Sequence, residues 1–426
     1  MTKKIKEILD EVLTGINPTK EDLDFIKDKT KEFLDVLKKN IKEEKIDAEI
    51  FVGGSFAKKT LIKKKLYDVD LFIRFEKKYE EKDFPVLMKK VLKNVKNLII
   101  VHGSRDYYQI KFNDFFIIEI VPVVKIKNQK QAKNITDLSY LHVKYIDKKI
   151  KSKRILEEIK LAKSFCEAQG IYGAESYIKG FSGYSLELLV LYHKGFEKFL
   201  RAIVNSKSEK IIIDIEKHYN NKNSVLMDLN ESKLESPIIL IDPTFKTRNA
   251  LAALSKESFE KFKQEAKKFL KNPSTKYFEI KKINLEKIKK DAKKKKFEFI
   301  LLEAKTKKQE GDVAGSKLKK FYNHLAKEIE KYFEIKDKGF NYNNKKSARF
   351  FIVVKPKKEI VLEGPKKSDK KNAEKFKKKH KKVFLKNEKL FTKVRINFSL
   401  QKFIFHWKFK NKKKIIDMNV GGLRVV

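Results

Sequence analysis

The stretch from Phe51 to Phe75, FVGGSFAKKTLIKKKLYDVDLFIRF, constrains the fold more than any other part of the chain. An apolar, strand-like run leads through Gly-Gly-Ser into a helix-compatible segment. An alternating run then follows, with Asp68 and Asp70 inside it. Side chains two residues apart in a strand point to the same face of a sheet. The stretch therefore predicts a strand, a turn with a helical segment and a second strand that carries two neighbouring carboxylates.

Asp68 and Asp70 are candidate metal ligands. Two unpaired carboxylates held this close repel each other and raise each other's pKa, unless a divalent cation lies between them. Oxygen ligands on a rigid strand suit Mg²⁺, which takes its remaining ligands from water and substrate phosphates. An isolated Asp-x-Asp pair more often faces solvent on an edge strand, so the surrounding residues must decide between the two interpretations.

The Gly53-Gly54-Ser55 turn is a candidate phosphate cradle. Glycines let a phosphate approach the backbone, N–H groups at a helix start point towards it, and the Ser55 hydroxyl and the Lys58 ammonium complete the site. A Gly-Gly-Ser alone is more often just a turn. Followed by Asp-x-Asp on the next strand, it predicts triphosphate and metal sites at adjacent strand ends.

Glu119 is the candidate third acid of a two-metal phosphoryl-transfer site. It is the charged residue in the apolar run FFIIEIVPVV. A buried carboxylate is costly unless it binds a metal or meets a cation. The alternative is a glutamate on an edge strand that faces water.

The charge of the chain favours a polyanionic partner. Lys and Arg number 102 against 57 Asp and Glu, a formal net charge of +45. Such an excess is typical of proteins that bind RNA or DNA through phosphates, although a biased genome also enriches lysine. The single cysteine, Cys166, excludes an internal disulfide and indicates a reducing compartment, the cytoplasm. The sequence contains no apolar run long enough to span a membrane, so no membrane association is expected.

The periodicity predicts an α+β multidomain protein. Residues 1–146 read as a mixed sheet with helices, which begins with two helices, the second capped by Asn17 with Pro18 at its first position. Residues 147–271 read as a helical middle domain, and residues 272–426 as an α+β region. There, VFLKNEKLFTKVRINFSLQKFIFHWKF predicts short strands, and Trp407 could stack on RNA or lie in the core.

The sequence resembles a known family at several motifs. G-G-S, D-x-D in a strand and a later strand acid resemble the DNA polymerase β superfamily of nucleotidyltransferases. DLSYLHVKYI, GIYGAESYIKGFSGYSLELLVLYHKGF, IDPTFKTRNALAALS and LEGPKKSDKKNAEKFKKKH resemble, in this order, the blocks of the archaeal-type (class I) CCA-adding enzymes. The resemblance covers nearly the whole chain.

The resemblance implies a role for each matching residue. Asp68, Asp70 and Glu119 would bind Mg²⁺ and be catalytic. The implied nucleotide-binding residues are Gly54, Ser55, Lys58, Ser139, His142, Lys163, Tyr172 and Arg248. Among them Lys163 and Tyr172 would hold triphosphate and sugar, and Arg248 would read the edge of the base. Two positions depart from the family pattern, because Lys58 stands where arginine is common and Glu119 where aspartate is usual.

The resemblance also implies an activity, the untemplated addition of C, C and A to the 3′ end of tRNA from CTP and ATP. The C-terminal region would grip the acceptor and TΨC arms, and a homodimer is compatible with the family. Two alternatives stay open. One is a poly(A) polymerase or oligonucleotide synthetase of the same superfamily, and the other is an RNA-binding module with a decayed nucleotidyltransferase site.

Overall fold

The computed structural model describes residues 3–101, 105–281, 283–342, 345–380 and 382–426. The chain forms two compact units, Met1–Lys281 and Lys282–Val426. The α+β multidomain class expected from the periodicity is confirmed. The division of the first unit near residue 146 stays a prediction.

The first unit begins with the predicted alternation of helices and strands. Its elements, in chain order, are α1 (Lys3–Ile16), α2 (Lys20–Glu43), β1 (Ala48–Val52), α3 (Gly54–Ala57), β2 (Tyr67–Phe75), α4 (Phe84–Val91), β3 (Leu98–Val101), β4 (Tyr107–Lys111), β5 (Phe116–Val124), α5 (Ser139–Lys149), α6 (Lys153–Ala168), α7 (Gly183–His193), α8 (Phe196–Asn205), β6 (Ile211–Asp214), α9 (Lys222–Asp228), α10 (Glu231–Leu234), β7 (Ile238–Asp242), β8 (Phe245–Asn249) and α11 (Lys256–Lys271).

The strands β1 to β5 form one mixed sheet in the order β1-β2-β5-β4-β3. The pair β2 and β5 is parallel, and the other neighbours are antiparallel. Leu71 and Ile73 of β2 and Ile118 and Ile120 of β5 are fully buried in the core of this part of the unit. The strands that carry the candidate acids are therefore the rigid interior of the sheet.

The start of α2 differs from the prediction. Thr19, and not Asn17, caps the helix, because the Thr19 hydroxyl accepts a hydrogen bond from the Asp22 amide (3.1 Å). The Asn17 side chain instead accepts a hydrogen bond from the Lys160 ammonium (2.8 Å). Pro18 therefore precedes the cap and does not occupy the first helical position.

The helices α6, α7, α8 and α11 share a second core. Phe165, Phe181, Phe199, Phe262 and Phe269 are each fully buried in it. Residues 147–271 are mostly helical, as expected, and also contain a three-stranded sheet in the order β6-β7-β8. This sheet places the end of β7 and the start of β8 beside the site described below.

The second unit is also α+β. Its elements are α12 (Leu285–Lys294), β9 (Glu298–Thr306), α13 (Gly311–Glu330), β10 (Phe333–Tyr342), β11 (Ser347–Pro356), β12 (Glu359–Lys366), α14 (Lys370–Lys379), β13 (Val383–Lys386), β14 (Lys389–Arg395), α15 (Leu400–Lys410), α16 (Lys412–Asp417) and β15 (Val420–Val425). Its strands form two sheets, in the orders β10-β11-β9-β15 and β12-β14-β13. Across the described parts of the chain, no helix combines the length and apolarity needed to cross a bilayer.

The helix α15 corrects the sequence prediction, which had strands here. Ser399 caps it by accepting a hydrogen bond from the Lys402 amide (3.3 Å). Leu400, Ile404 and Trp407 are buried at the spacing of one helix face, whereas the high aromatic content of the segment favours strand by composition alone. Trp407 is only 6% exposed and packs against Phe321, so it lies in the core.

Candidate active site

The turn between β1 and α3 lies directly against the carboxylate of Asp70. The Gly53 amide donates a hydrogen bond to the Asp70 carbonyl (2.8 Å). Gly54 has φ of +62°, and a Cβ at this position would lie 1.7 Å from Asp70 Oδ2. Only glycine combines this conformation with the absence of a side chain. The first glycine-rich motif is therefore part of the site of the acids.

The three candidate acids share one face of the mixed sheet. Asp68 and Asp70 are two residues apart on β2, and Glu119 on β5 is the register partner of Asp70. The strand β5 lies between β2 and β4, so Glu119 is not on an edge strand. The Gln109 amide group on β4 donates a hydrogen bond to Glu119 Oε1 (2.6 Å), and the Lys64 ammonium lies 3.6 Å from Asp68 Oδ1.

This face has more negative charge than nearby protein groups neutralise. Burial, and then the charge of Asp68, raises the pKa of Asp70 to about 6. Burial, and then the charge of Asp70, raises the pKa of Glu119 to about 7. A hard divalent cation prefers oxygen ligands and would offset the repulsion between these carboxylates.

The carboxylates are suitable ligands for such a cation, and the strand register places them side by side. Their side chains, however, do not point to one common position. Within the described ranges, no group of three or more His, Cys, Asp or Glu side chains is arranged to hold a metal ion. Glu119 is turned towards Gln109, and Asp68 lies beside Lys64. A bound cation would have to replace these two contacts.

A buried network of lysines lies next to the acids. The Lys58 ammonium donates a hydrogen bond to Glu187 Oε2 (2.7 Å), and the Lys163 ammonium donates to Glu187 Oε1 (3.1 Å). Lys163 also donates to the Thr60 hydroxyl (2.6 Å) and the Thr60 carbonyl (3.4 Å). Burial lowers the pKa of Lys163 to about 8. Lys163 is therefore not an ordinary surface lysine, since its ammonium group is buried and hydrogen-bonded to Glu187 and Thr60.

The start of α7 brings Tyr172 to this network. Two backbone hydrogen bonds, from the Gly173 amide to the Phe181 carbonyl and from the Phe181 amide to the Ile171 carbonyl (both 2.8 Å), join the two ends of the segment GIYGAESYIKGF. A Cβ on Gly183 would lie 2.9 Å from the Tyr172 hydroxyl and 3.7 Å from Lys163 Cε. Tyr172 also lines a cavity of about 700 Å³ together with Lys63, Lys64 and Lys65, which gives the cavity a basic wall.

Asp242, at the end of β7, is the centre of a second network. Its Oδ2 accepts hydrogen bonds from His142 Nε2 (2.9 Å) and Arg248 Nη1 (2.6 Å), and its Oδ1 accepts from the Tyr184 hydroxyl (3.1 Å) and the Thr244 amide (2.8 Å). Burial opposes ionisation, yet these hydrogen bonds and the charges of His142 and Arg248 hold the pKa of Asp242 well below its usual range. The Asp242 carboxylate is thus a fixed anion that orients Arg248.

Comparisons with known proteins identify the family. Residues 30–167 match the model of the nucleotidyltransferase domain, and residues 157–279 match that of the second domain of tRNA nucleotidyltransferases. The CCA-adding enzyme of Methanocaldococcus jannaschii is 30% identical over 406 residues, which cover 93% of this chain and 88% of that protein. The chain belongs to the CCA-adding enzyme family.

A second CCA-adding enzyme and a solved structure are also similar to this chain. The CCA-adding enzyme of Nanoarchaeum equitans is 40% identical over 244 residues, which cover 57% of this chain and 59% of that protein. A crystal structure of the Cid1 poly(U) polymerase with Mg and 3′-dATP superimposes with a TM-score of 0.50 at 15% identity, and the match covers 66% of this chain and 100% of that one. At this identity the likeness shows a shared fold.

The site of this CCA-adding family member gathers residues from distant parts of the sequence. The cradle residues Gly54, Ser55 and Lys58 lie around α3. Ser139 begins α5, one turn before His142, which stacks on Tyr184 with ring centroids 4.1 Å apart. The sequence predicted that the three acids, the phosphate cradle and the residues expected near the base form one site. All of these residues lie in the first unit. The assignment of ligand and base-reading roles to them stays a prediction.

Sequence reasoning missed several residues of this site, Glu187 above all. Glu187 is fully buried within the apolar helix α7, between Leu186 and Leu188. A lone acid in an apolar run is the signal that identified Glu119, and the same signal was available here. Tyr184 and Gln109 were also missed, because their sequence neighbours give no sign of the charges that they meet.

Replacing Gly54 with alanine is expected to lower nucleotide transfer by about tenfold or more. A Cβ there displaces the Asp70 carboxylate, and positive φ adds about 1–2 kcal/mol of strain. The matched control is Gly311→Ala, because Gly311 has φ of +59° with nothing within 4 Å of the added Cβ. Transfer rates and melting temperatures of both variants measure the effect. Equal losses in both variants would show that backbone strain alone is responsible.

Replacing Asp70 with asparagine is expected to stabilise the metal-free protein at pH 8. The folded-state pKa of about 6 exceeds the ordinary value of 3.8. The contribution of the Asp70 carboxyl to stability is therefore greatest below pH 4, falls as the pH rises through 6, and is about 1–3 kcal/mol lower above that pH. Melting curves in EDTA at pH 8 and pH 5 test this, with Asp114→Asn as an exposed control. A gain at pH 8 that shrinks at pH 5 is expected, and a loss at pH 8 contradicts it.

Proposed function

We propose that this protein adds C, C and A, in that order, to the 3′ end of tRNA that lacks them, using CTP and ATP. The observation that carries the proposal is the start of α7. Gly183 lies against Tyr172 and Lys163, whereas the next residue, Tyr184, contacts His142 and Asp242. A nucleotide laid across this helix start would have its phosphates towards the lysines and its base towards Arg248.

The reaction is a phosphoryl transfer. The 3′-hydroxyl oxygen of the RNA forms a bond to the α-phosphorus of the nucleotide, the bond between the α-phosphorus and the β-phosphate oxygen breaks, and pyrophosphate leaves while the hydroxyl loses its proton. A divalent cation, which we infer to be Mg²⁺ held by Asp68, Asp70 and Glu119, would lower the pKa of the hydroxyl and neutralise developing charge. Lys58, the Ser55 hydroxyl and the amides of α3 would hold the departing phosphates.

Arg248 would select the base. Cytosine and adenine both present an unprotonated ring nitrogen on the Watson–Crick edge, where uracil and guanine carry an N–H. A guanidinium has only donors, so it can donate a hydrogen bond to that ring nitrogen in cytosine or adenine, whereas in uracil or guanine its N–H would meet a second N–H there. Arg248 stays 22% exposed while Asp242 fixes one of its nitrogen atoms. This arrangement leaves N–H groups for a base and supports CTP and ATP as the substrates.

The two alternatives are less favoured. A poly(A) polymerase or oligonucleotide synthetase would use ATP alone, whereas the full-length similarity is to CCA-adding enzymes. A decayed site is expected to have lost at least one of the three acids, the Gly-Gly-Ser turn or Arg248, and all are present.

We infer a cytoplasmic protein, with a homodimer as the arrangement to test by sedimentation.

The proposal is tested by giving the purified protein tRNA that lacks its last three nucleotides, Mg²⁺ and each labelled nucleotide in turn. Incorporation from CTP, followed by incorporation from ATP, is expected. Repeated addition of A from ATP alone, or the absence of incorporation, would contradict the proposal.

Binding of tRNA is expected to weaken steeply with salt. The acceptor and TΨC arms would be held by shape and phosphate charge, and the exposed lysines of α14 supply such charge. These lysines are Lys370, Lys371, Lys375, Lys377, Lys378 and Lys379. If six or more phosphates are contacted, affinity falls by about a thousandfold between 50 and 200 mM salt. Filter binding over this range measures the slope, and a salt-independent affinity contradicts the phosphate-based account.

A further inference from the structure

The carboxylate of Glu187 is a buried charge that the proposed function does not explain. Leu186, Leu188, Leu189 and Val190, its neighbours on α7, are all fully buried. An apolar side chain would pack in this helix at lower cost than a carboxylate, which loses its hydration when buried. The packing of α7 therefore does not account for an acid here, and the groups that it contacts must do so.

Those groups are the two cations of the phosphate end of the site. Glu187 Oε2 accepts a hydrogen bond from Lys58 (2.7 Å), and Oε1 accepts from Lys163 (3.1 Å) and from the Thr60 hydroxyl (3.2 Å). Lys58 and Thr60 belong to the segment that follows α3, whereas Lys163 and Glu187 belong to α6 and α7. One carboxylate thus joins the phosphate cradle to the helices that carry the rest of the nucleotide site.

The charge balance explains why a single acid serves both lysines. Two buried ammonium groups repel each other and tend to lose their protons. Burial already lowers the pKa of Lys163, and the charge of Glu187 acts in the opposite direction. One carboxylate between two ammonium groups leaves a net charge of +1. The Glu187 carboxylate therefore offsets part of the repulsion between the two ammonium groups, and the remaining positive charge favours a triphosphate.

We propose that Glu187 is a positioning residue for nucleotide binding, which holds Lys58 and Lys163 in place to receive the triphosphate. The inference rests on the proposed function and deepens it. Glu187 does not contact the nucleotide in this account. Glu187 acts through the two ammonium groups. Its loss is therefore expected to weaken nucleotide binding more than it lowers kcat, and to leave tRNA binding unchanged.

The test is Glu187→Gln in the full-length protein, which keeps the shape and removes the charge. The KM for CTP and the dissociation constant of CTP are expected to rise at least about tenfold, with a smaller change in kcat and unchanged tRNA affinity. The matched control is Glu158→Gln. Glu158 is also buried in this unit but accepts a hydrogen bond from the Phe196 amide (2.7 Å), away from the lysines.

The outcomes separate this inference from the proposed function. Wild-type protein that transfers neither CTP nor ATP overturns the proposed function itself. If wild type transfers normally, a Glu187→Gln variant that melts earlier but keeps the wild-type KM shows a purely structural role and overturns the inference. So does an equal rise in KM for Glu158→Gln. If Glu187→Gln fails to fold, Glu187→Asp is used, because its shorter side chain keeps the charge but cannot reach both ammonium groups. A raised KM supports the inference, and an unchanged one overturns it.

Discussion

Asparagine in place of Asp70 is expected to reduce nucleotide transfer by at least about a thousandfold, a loss of several kcal/mol of transition-state stabilisation. Asp70 lies between Asp68 on its own strand and Glu119 on the parallel neighbour. The amide removes the central negative charge from the face that would hold the cation. Single-turnover incorporation of labelled ATP into tRNA that ends in CC measures the loss.

The affinity for tRNA is expected to stay close to that of the wild type, because the Asp70 carboxylate lies against the backbone of Gly54 and, in the proposed function, would bind the cation and not the RNA. Asp114→Asn, at a position 99% exposed, serves as the control for a lost carboxylate elsewhere. A variant that loses tRNA binding together with activity would show that Asp70 has been misassigned. The same variant is expected to be the more stable protein without metal, so loss of activity cannot be attributed to unfolding.

Replacing Arg248 with lysine is expected to lower kcat/KM for CTP and ATP by about tenfold to a hundredfold and to narrow the preference over UTP and GTP. The estimate follows from the value of about 1–3 kcal/mol for a good bidentate contact to a base. Lysine keeps the positive charge near Asp242 but loses the planar set of donors. The charge therefore remains while the base-reading geometry is lost.

The measurement is kcat/KM for all four nucleotides on tRNA that lacks its last nucleotides. Arg201→Lys is the control, because Arg201, whose side chain is 48% exposed, pairs with Glu197 (2.7 Å) on α8 of the same unit. An Arg248→Lys variant that discriminates among the four nucleotides as well as the wild type would contradict the base-reading role.

The acids and the cradle could be predicted because their geometry is local. Alternation within β2 puts Asp68 and Asp70 on one face, and the Gly-Gly-Ser turn precedes them by a few residues. The register of Asp70 with Glu119 depends on the pairing of β2 with β5, whereas the sequence predicted only that the third acid lies on a neighbouring strand. The nucleotidyltransferase fold that these motifs predict is confirmed.

The networks behind these residues could not be predicted from local patterns. Lys58 and Glu187 are 129 residues apart, and His142 and Asp242 are 100 residues apart. Periodicity reports which face of an element is apolar but not which distant charge meets it. The mistaken strands at α15 have a related cause, since aromatic content outweighed the spacing of Leu400 and Trp407.

The most direct test of the central claim is the length and sequence of the product at single-nucleotide resolution. With tRNA that lacks its last three nucleotides and Mg²⁺, CTP alone is expected to add two residues and stop, and CTP with ATP is expected to add three residues that read CCA and stop. With ATP alone, tRNA that already ends in CC is expected to gain one A. Runs of A longer than one residue, ATP addition to the shortest tRNA, or no product at all would contradict the account.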